Sequence, residues 1–130
     1  MKRLAIILTI CAVLIPSAAF AYPSKVTRWE PTLRAACAYY HLDRYDTHWA
    51  VEKGLGIIYR ESRGNTNTGH INGCYGLLQF NTGWQHHTTL GGIHYADFRT
   101  SGRGSVWRFV KVLRVGGRAA VKRAWIATIR

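Results

Sequence analysis

Glu61 is the side chain in this sequence best placed to move a proton. It closes an apolar run, Leu55 to Tyr59, and is followed at once by small polar residues, Ser62, Gly64, Asn65, Thr66, Asn67 and Thr68. Residues three and four apart share a helix face, so on a helix Glu61 stands over Ile57 and Ile58 and two turns from Gly54. A carboxyl at the edge of an apolar face loses solvation of its charged form. That environment suits a general acid working near neutral pH, such as one that protonates the leaving oxygen of a glycosidic bond.

Glycosidic chemistry usually enlists a second carboxylate as nucleophile or base. Glu61 is the sole acidic residue between Glu52 and Asp97. Glu52 lies nine residues back, about 180° around the same helix, and nothing in the sequence places Asp97. One acid suffices when an N-acetylated sugar supplies the nucleophile itself, through its acetamido group or its C6 hydroxyl. The glutamate then acts first as acid and afterwards as base.

The elements that must hold Glu61 follow from periodicity and punctuation. Trp29-Glu30-Pro31 reads as a helix start, since proline is tolerated in a first turn. Pro31 to about Leu42 then carries an apolar face of Leu33, Cys37 and Tyr40. Asp46 or Thr47 is expected to cap a second helix reaching Glu61. Gly54 and Gly56 weaken that helix by about 1 kcal/mol each relative to alanine, which points either to close packing against a neighbour or to a poorly defined helix. Asn72-Gly73 is a strong hairpin-turn signal, predicting a small β-hairpin with Cys74 just past its turn and a short helix from Gly76 to Phe80. Ser105 is expected to cap a helix from Val106 to Val115. Gly116-Gly117 ends that helix or turns a corner, and a last helix runs from Arg118 to Ile129. The predicted fold class is α+β, mainly α.

Met1 to Ala21 has the form of a cleaved secretory signal: Lys2 and Arg3, an apolar run from Leu4 to Ile15, then Ser17-Ala-Ala-Phe-Ala21 before Tyr22. The run is shorter than the roughly 20 residues that span a bilayer. Cleavage leaves residues 22–130 as one domain, secreted or periplasmic and expected to act as a monomer. Of three cysteines, Cys11 leaves with the signal. The even pair Cys37 and Cys74 then predicts a disulfide in an oxidising compartment. Closing a loop of about 38 residues, it would contribute about 4 kcal/mol by chain-entropy reasoning.

The full chain has eighteen basic and six acidic residues. Without Lys2 and Arg3 the balance is +10, and no acidic residue follows Asp97. Such a stretch, from Arg99 through Arg103, Arg108, Lys111, Arg114, Arg118, Lys122 and Arg123 to Arg130, fits attachment to anionic envelope polymers. Specific nucleic-acid recognition is not expected, because no groove-reading motif is present and the signal directs the chain outward. His86, His87 and His94 have no cysteine or carboxylate at ligand spacing apart from Asp97, so neither a metal nor another cofactor is expected.

Glu61-Ser62 followed by Gly76-Leu77-Leu78-Gln79 resembles the paired Glu-Ser and Gly-Leu-Met-Gln motifs of lytic transglycosylases in the lysozyme-like superfamily. The similarity is greatest to the resuscitation-promoting-factor branch and next to the small secreted transglycosylases of secretion and conjugation machines. Glu61, Ser62, Gly64, Asn65, Asn67, Thr68, Gly69, Asn72, Gly73, Tyr75, Gly76, Leu78, Gln79 and Phe80 match that branch in order. Arg63, Cys74 and Leu77 depart from it, and His70-Ile71 is an insertion. The resemblance spans Trp49 to Trp84. It implies a lysozyme-like domain with a β-hairpin beside the catalytic helix, acting on peptidoglycan glycan strands. Glu61 is implied as catalytic acid and base, with Ser62, Tyr75 and Gln79 lining the sugar site. Near the C-terminus, Ala124-Trp125-Ile126 stands where many of these enzymes carry Ala-Tyr-Asn. The tyrosine that helps to hold the glutamate is therefore missing there, and Tyr95 and Trp84 are the residues that could fill its place.

Overall fold

A computed structural model describes residues 21–68, 73–81 and 101–125. These form four helices, α1 (Ser24–Thr27), α2 (Glu30–Tyr39), α3 (Arg44–Ser62) and α4 (Gly102–Ala124), and two short strands, β1 (Cys74–Tyr75) and β2 (Phe80–Asn81). The described chain is mainly helical. Residues 1–20 of the expected signal segment, the Asn72 turn residue, Trp84, Tyr95, Asp97, the histidines at 86, 87 and 94 and residues 126–129 of the expected last helix lie outside the described residues. Among the described residues no helix is long and apolar enough to cross a membrane.

Helix α3 is the axis of the fold. Asp43 caps it, its carboxylate accepting from Asp46 N at 2.7 Å, so the helix begins earlier than an Asp46 or Thr47 cap would allow. Its buried residues include Ala50, Val51, Gly54, Leu55, Ile57 and Ile58, the i, i+3, i+4 recurrence of an amphipathic helix. Gly54 marks the crossing point. A Cβ there would meet Leu33 Cδ2 of α2 at 2.8 Å and Phe109 Cε1 of α4 at 3.2 Å. Three helices thus converge on a residue without a side chain, the close-packing alternative at Gly54; at Gly56 an added Cβ would meet only Tyr22 Oη at 3.3 Å.

On α2, Leu33, Ala36 and Cys37 turn inward while Tyr40 is half-buried. Glu30 is held on the wet side by Arg34 at 2.7 Å. The expected Cys37–Cys74 disulfide is not formed. Cys37 is buried in the core and bonds with Thr47, whereas Cys74 is half-buried at the start of the hairpin. Burial pushes the Cys37 thiol up to about 11, with the Thr47 contact opposing that shift.

Helix α4 starts a turn before the expected Ser105 cap. Ser101 accepts from Gly104 N at 3.0 Å, and Ser105 is buried inside the helix. Gly102 lets α4 begin against Trp29, whose ring carbon Cη2 would lie 1.9 Å from an added Cβ. At Gly117 the backbone leaves the helical region, φ 73° and ψ −179°, giving the expected corner. The segment beyond returns Val121 and Trp125 to the core.

Candidate active site

The end of α3 is shaped by its own side chains. Ser62, expected along the sugar site, is buried; its hydroxyl donates to Ile58 O at 3.2 Å and accepts from Gly64 N at 3.2 Å. It therefore satisfies the helix terminus, where carbonyls and following amides otherwise lack partners. Arg63 then adopts a left-handed conformation, φ 55°, and its guanidinium lies 4.1 Å over the Tyr59 ring. Glu61, in the same last turn, is half-buried.

Gly64 continues the left-handed turn with φ 87°. Its carbonyl accepts from Arg28 Nη2 at 3.0 Å and Trp29 Nε1 at 3.3 Å. The segment after Glu61 is thereby tied to the junction of α1 and α2. Further along, Asn65 Oδ1 accepts from Asn67 N at 3.0 Å, an Asx turn. Thr68 Oγ1 donates to Asn65 O at 2.9 Å and lies 3.5 Å from Ser62 O.

Thr68 joins the two motifs. Its carbonyl accepts from Gln79 Nε2 at 3.3 Å and Gly76 N at 3.4 Å. The Glu61-Ser62 helix end and the Gly76–Gln79 segment are thus joined through Thr68. Strands β1 and β2 pair antiparallel, Cys74 with Asn81 and Tyr75 with Phe80. Gly76 to Gln79 is therefore the loop of this hairpin, not the short helix expected there, and Cys74 opens a strand on its own side of that loop. Gly76 (φ 78°) and Gln79 (φ 52°) supply the reversals. The Gln79 side chain also bonds Gly76 O at 2.9 Å, so it holds the loop as well as facing the Thr68 segment. Tyr75 is half-buried.

Behind this loop sits Trp125. Its indole N–H donates to Leu78 O at 2.9 Å, and its ring meets Phe80 edge-on at 5.2 Å and Phe109 at 5.5 Å. In the sequence Trp125 stands where the resembled motif carries its tyrosine, with no partner assigned; the contact with Leu78 spans 47 residues of chain. Trp29, Arg28 and Thr68 also escaped sequence reasoning as site-builders, although Thr68 belongs to the matched Asn-Thr-Gly segment.

The other described carboxylates are engaged elsewhere. Glu30 pairs with Arg34 and Asp46 with Arg118, each at 2.7 Å; Glu52 lies 3.6 Å from Lys53; Asp43 caps α3. Among the described residues no three His, Cys, Asp or Glu side chains converge on a metal position. The arrangement can offer one carboxyl at a helix end, a half-buried tyrosine, and a hairpin loop fixed by backbone bonds.

What the described residues define is a mainly helical domain whose longest uninterrupted helix ends beside a two-stranded hairpin. Compared with family models, with curated proteins and with solved structures, the chain matches none.

Proposed function

We propose that the chain is a secreted or periplasmic enzyme with a lysozyme-like scaffold, cutting the β-1,4 bond between N-acetylmuramic acid and N-acetylglucosamine in peptidoglycan. One observation carries this reading: Thr68 ties the Glu61-Ser62 helix end to the Gly76–Gln79 loop, the two segments whose motifs resemble those of lytic transglycosylases. Glu61 gives its proton to the glycosidic oxygen as the C1–O bond breaks. The C6 hydroxyl of the muramic acid then attacks C1, and the Glu61 carboxylate accepts the hydroxyl proton. The products are a 1,6-anhydro end and a free hydroxyl on the leaving sugar. An outcome without water is favoured over hydrolysis by a muramidase because the other four described carboxylates already serve ion pairs or a cap.

The experiment is Glu61→Gln, which keeps size and removes the proton. Loss of a general acid lowers rates by roughly 10²–10⁴-fold. If folded Glu61→Gln clears a peptidoglycan suspension as fast as wild type, the assignment fails.

A second reading, a basic wall- or membrane-binding protein on the same scaffold without turnover, draws on α4, where Arg114, Arg118, Lys122 and Arg123 are exposed. It predicts that neutralising these residues abolishes activity while Glu61→Gln does not.

A further inference from the structure

On the side of the post-Glu61 segment that faces α1 and α2 lies an open cavity of about 250 Å³, lined by Arg28, Trp29, Thr32 and Thr66. Among the described residues its lining offers a guanidinium, two hydroxyls and an indole, and no carboxylate. The Arg28 guanidinium lies 5.2 Å from the Trp29 ring centroid and is anchored by Gly64 O through one of its five N–H donors. Trp29 is fixed at both ends, its N–H on Gly64 O and its far edge against Gly102. Glu30, the nearest acid in sequence, is held by Arg34 and does not neutralise Arg28. A planar cation beside hydroxyl donors and a fixed aromatic is a carboxylate-recognising set with room for an apolar group.

We infer that this cavity binds a carboxylate borne on a short arm of the glycan strand, either the lactyl group of the muramic acid or the peptide stem attached to it. Thr66 lies five residues from Glu61, so their Cα atoms are no more than about 18 Å apart. A strand positioned at Glu61 can therefore present a side arm there. The identity of that ligand rests on the peptidoglycan reading; the carboxylate chemistry rests on the cavity alone.

The test uses the mature chain carrying Glu61→Gln, so that strands are bound without being cut, and compares it with the same chain carrying Arg28→Gln as well. Four probes are titrated: stem-bearing glycan strands, stem-free strands that keep the lactyl carboxylate, chitin oligosaccharides that have neither, and a free D-alanine-terminated stem peptide. Loss of one charge-assisted hydrogen bond predicts roughly tenfold weaker binding of carboxylate-bearing probes by Arg28→Gln. Chitin affinity stays unchanged, and the Trp29 indole N–H resonance shifts only with carboxylate-bearing probes. Preference for stem-bearing over stem-free strands assigns the stem; equal binding of the two assigns the lactyl group. Arg28→Gln weakening chitin to the same degree, or weakening nothing, overturns the proposal. If Arg28→Gln does not fold, Thr66→Val is judged by the same outcomes. Binding of the free peptide at Trp29 with no binding of any glycan overturns the peptidoglycan reading and supports the cavity.

Discussion

Trp125 donates its indole N–H to the carbonyl of Leu78 at 2.9 Å, in a contact that is buried. The bond fastens the end of α4 to the loop that carries Gln79, and the Phe80 and Phe109 rings pack around it. Trp125→Phe keeps an aromatic in place but withdraws the donor from a buried carbonyl. It should lower stability by about 1–3 kcal/mol, seen as a lower urea midpoint with an unchanged m-value.

The sequence reached some of this and missed the rest for identifiable reasons. Helix α3, with Glu61 in its last turn, was legible because its buried residues recur at helical spacing and Gly54 marks a crossing. The caps were each placed too late because Asp43 and Asp46, and Ser101 and Ser105, offer the same chemistry a turn apart. Asn72-Gly73 drew attention as a turn, yet the described hairpin reverses at Gly76 and at Gln79, and a glutamine in the left-handed region leaves no sequence signal. The Cys37–Cys74 pairing was argued from parity, which says nothing of direction; Cys37 points into the core. Contacts such as Trp125 with Leu78, and Arg28 with Gly64, join distant segments and are invisible to periodicity.

Two glycines in the left-handed half of backbone space should respond differently to alanine. At Gly64 the new Cβ would lie 2.2 Å from Lys25 O, a backbone atom, so steric displacement adds to the conformational penalty. At Gly117 no atom lies within 4 Å, and the backbone term acts alone. Gly117→Ala should cost about 1–3 kcal/mol and Gly64→Ala about 1–3 kcal/mol more. Thermal or urea denaturation of both variants checks the order, and equal losses would contradict the contact with Lys25.

Cys37 gives the protein an alkaline weakness. Its thiol is pushed from 9.0 to about 11 by burial, so the folded state holds the proton at a pH where the unfolded state has released it. The associated stability is complete below about pH 9 and is lost as pH rises towards 11, for a total of about 2–3 kcal/mol. Unfolding free energies of wild type and Cys37→Ala should therefore converge across that interval. At pH 8, iodoacetamide should leave Cys37 unmodified in the native protein and alkylate it after denaturation.

The exposed cations of α4 predict a salt-sensitive attachment. Arg118 is bound to Asp46 at 2.7 Å and rests 5.4 Å from the Trp49 ring centroid, whereas Arg114, Lys122 and Arg123 are exposed. Changing these three to glutamine should weaken sedimentation with an anionic wall polymer by roughly a hundredfold at low salt, at about 1 kcal/mol per charge near an anionic surface. The difference should shrink as salt shortens the screening length to about 8 Å near 0.15 M. Cleavage of short, soluble glycan strands should be unchanged, because these side chains hold neither the end of α3 nor the hairpin loop.

The bond-breaking step itself predicts a product mass. If Glu61 works without a second carboxylate, the muramic acid C6 hydroxyl closes on C1 and no water enters. Each cut then yields an anhydro end, lighter by one water than the reducing end that hydrolysis leaves. Digestion in ¹⁸O-labelled water separates the cases, since intramolecular attack incorporates no label and a muramidase incorporates one oxygen per cut. Muropeptides from wild type should be unlabelled, and Glu61→Gln should yield the same products at a rate roughly 10²–10⁴-fold lower. Labelled reducing ends would mean that a water is activated at this site. The base would then have to come from Glu61 in its second role or from a carboxylate outside the described residues, with Asp97 the one candidate in the chain. Asp97→Asn would decide between them, because it suppresses labelled product only in the second case.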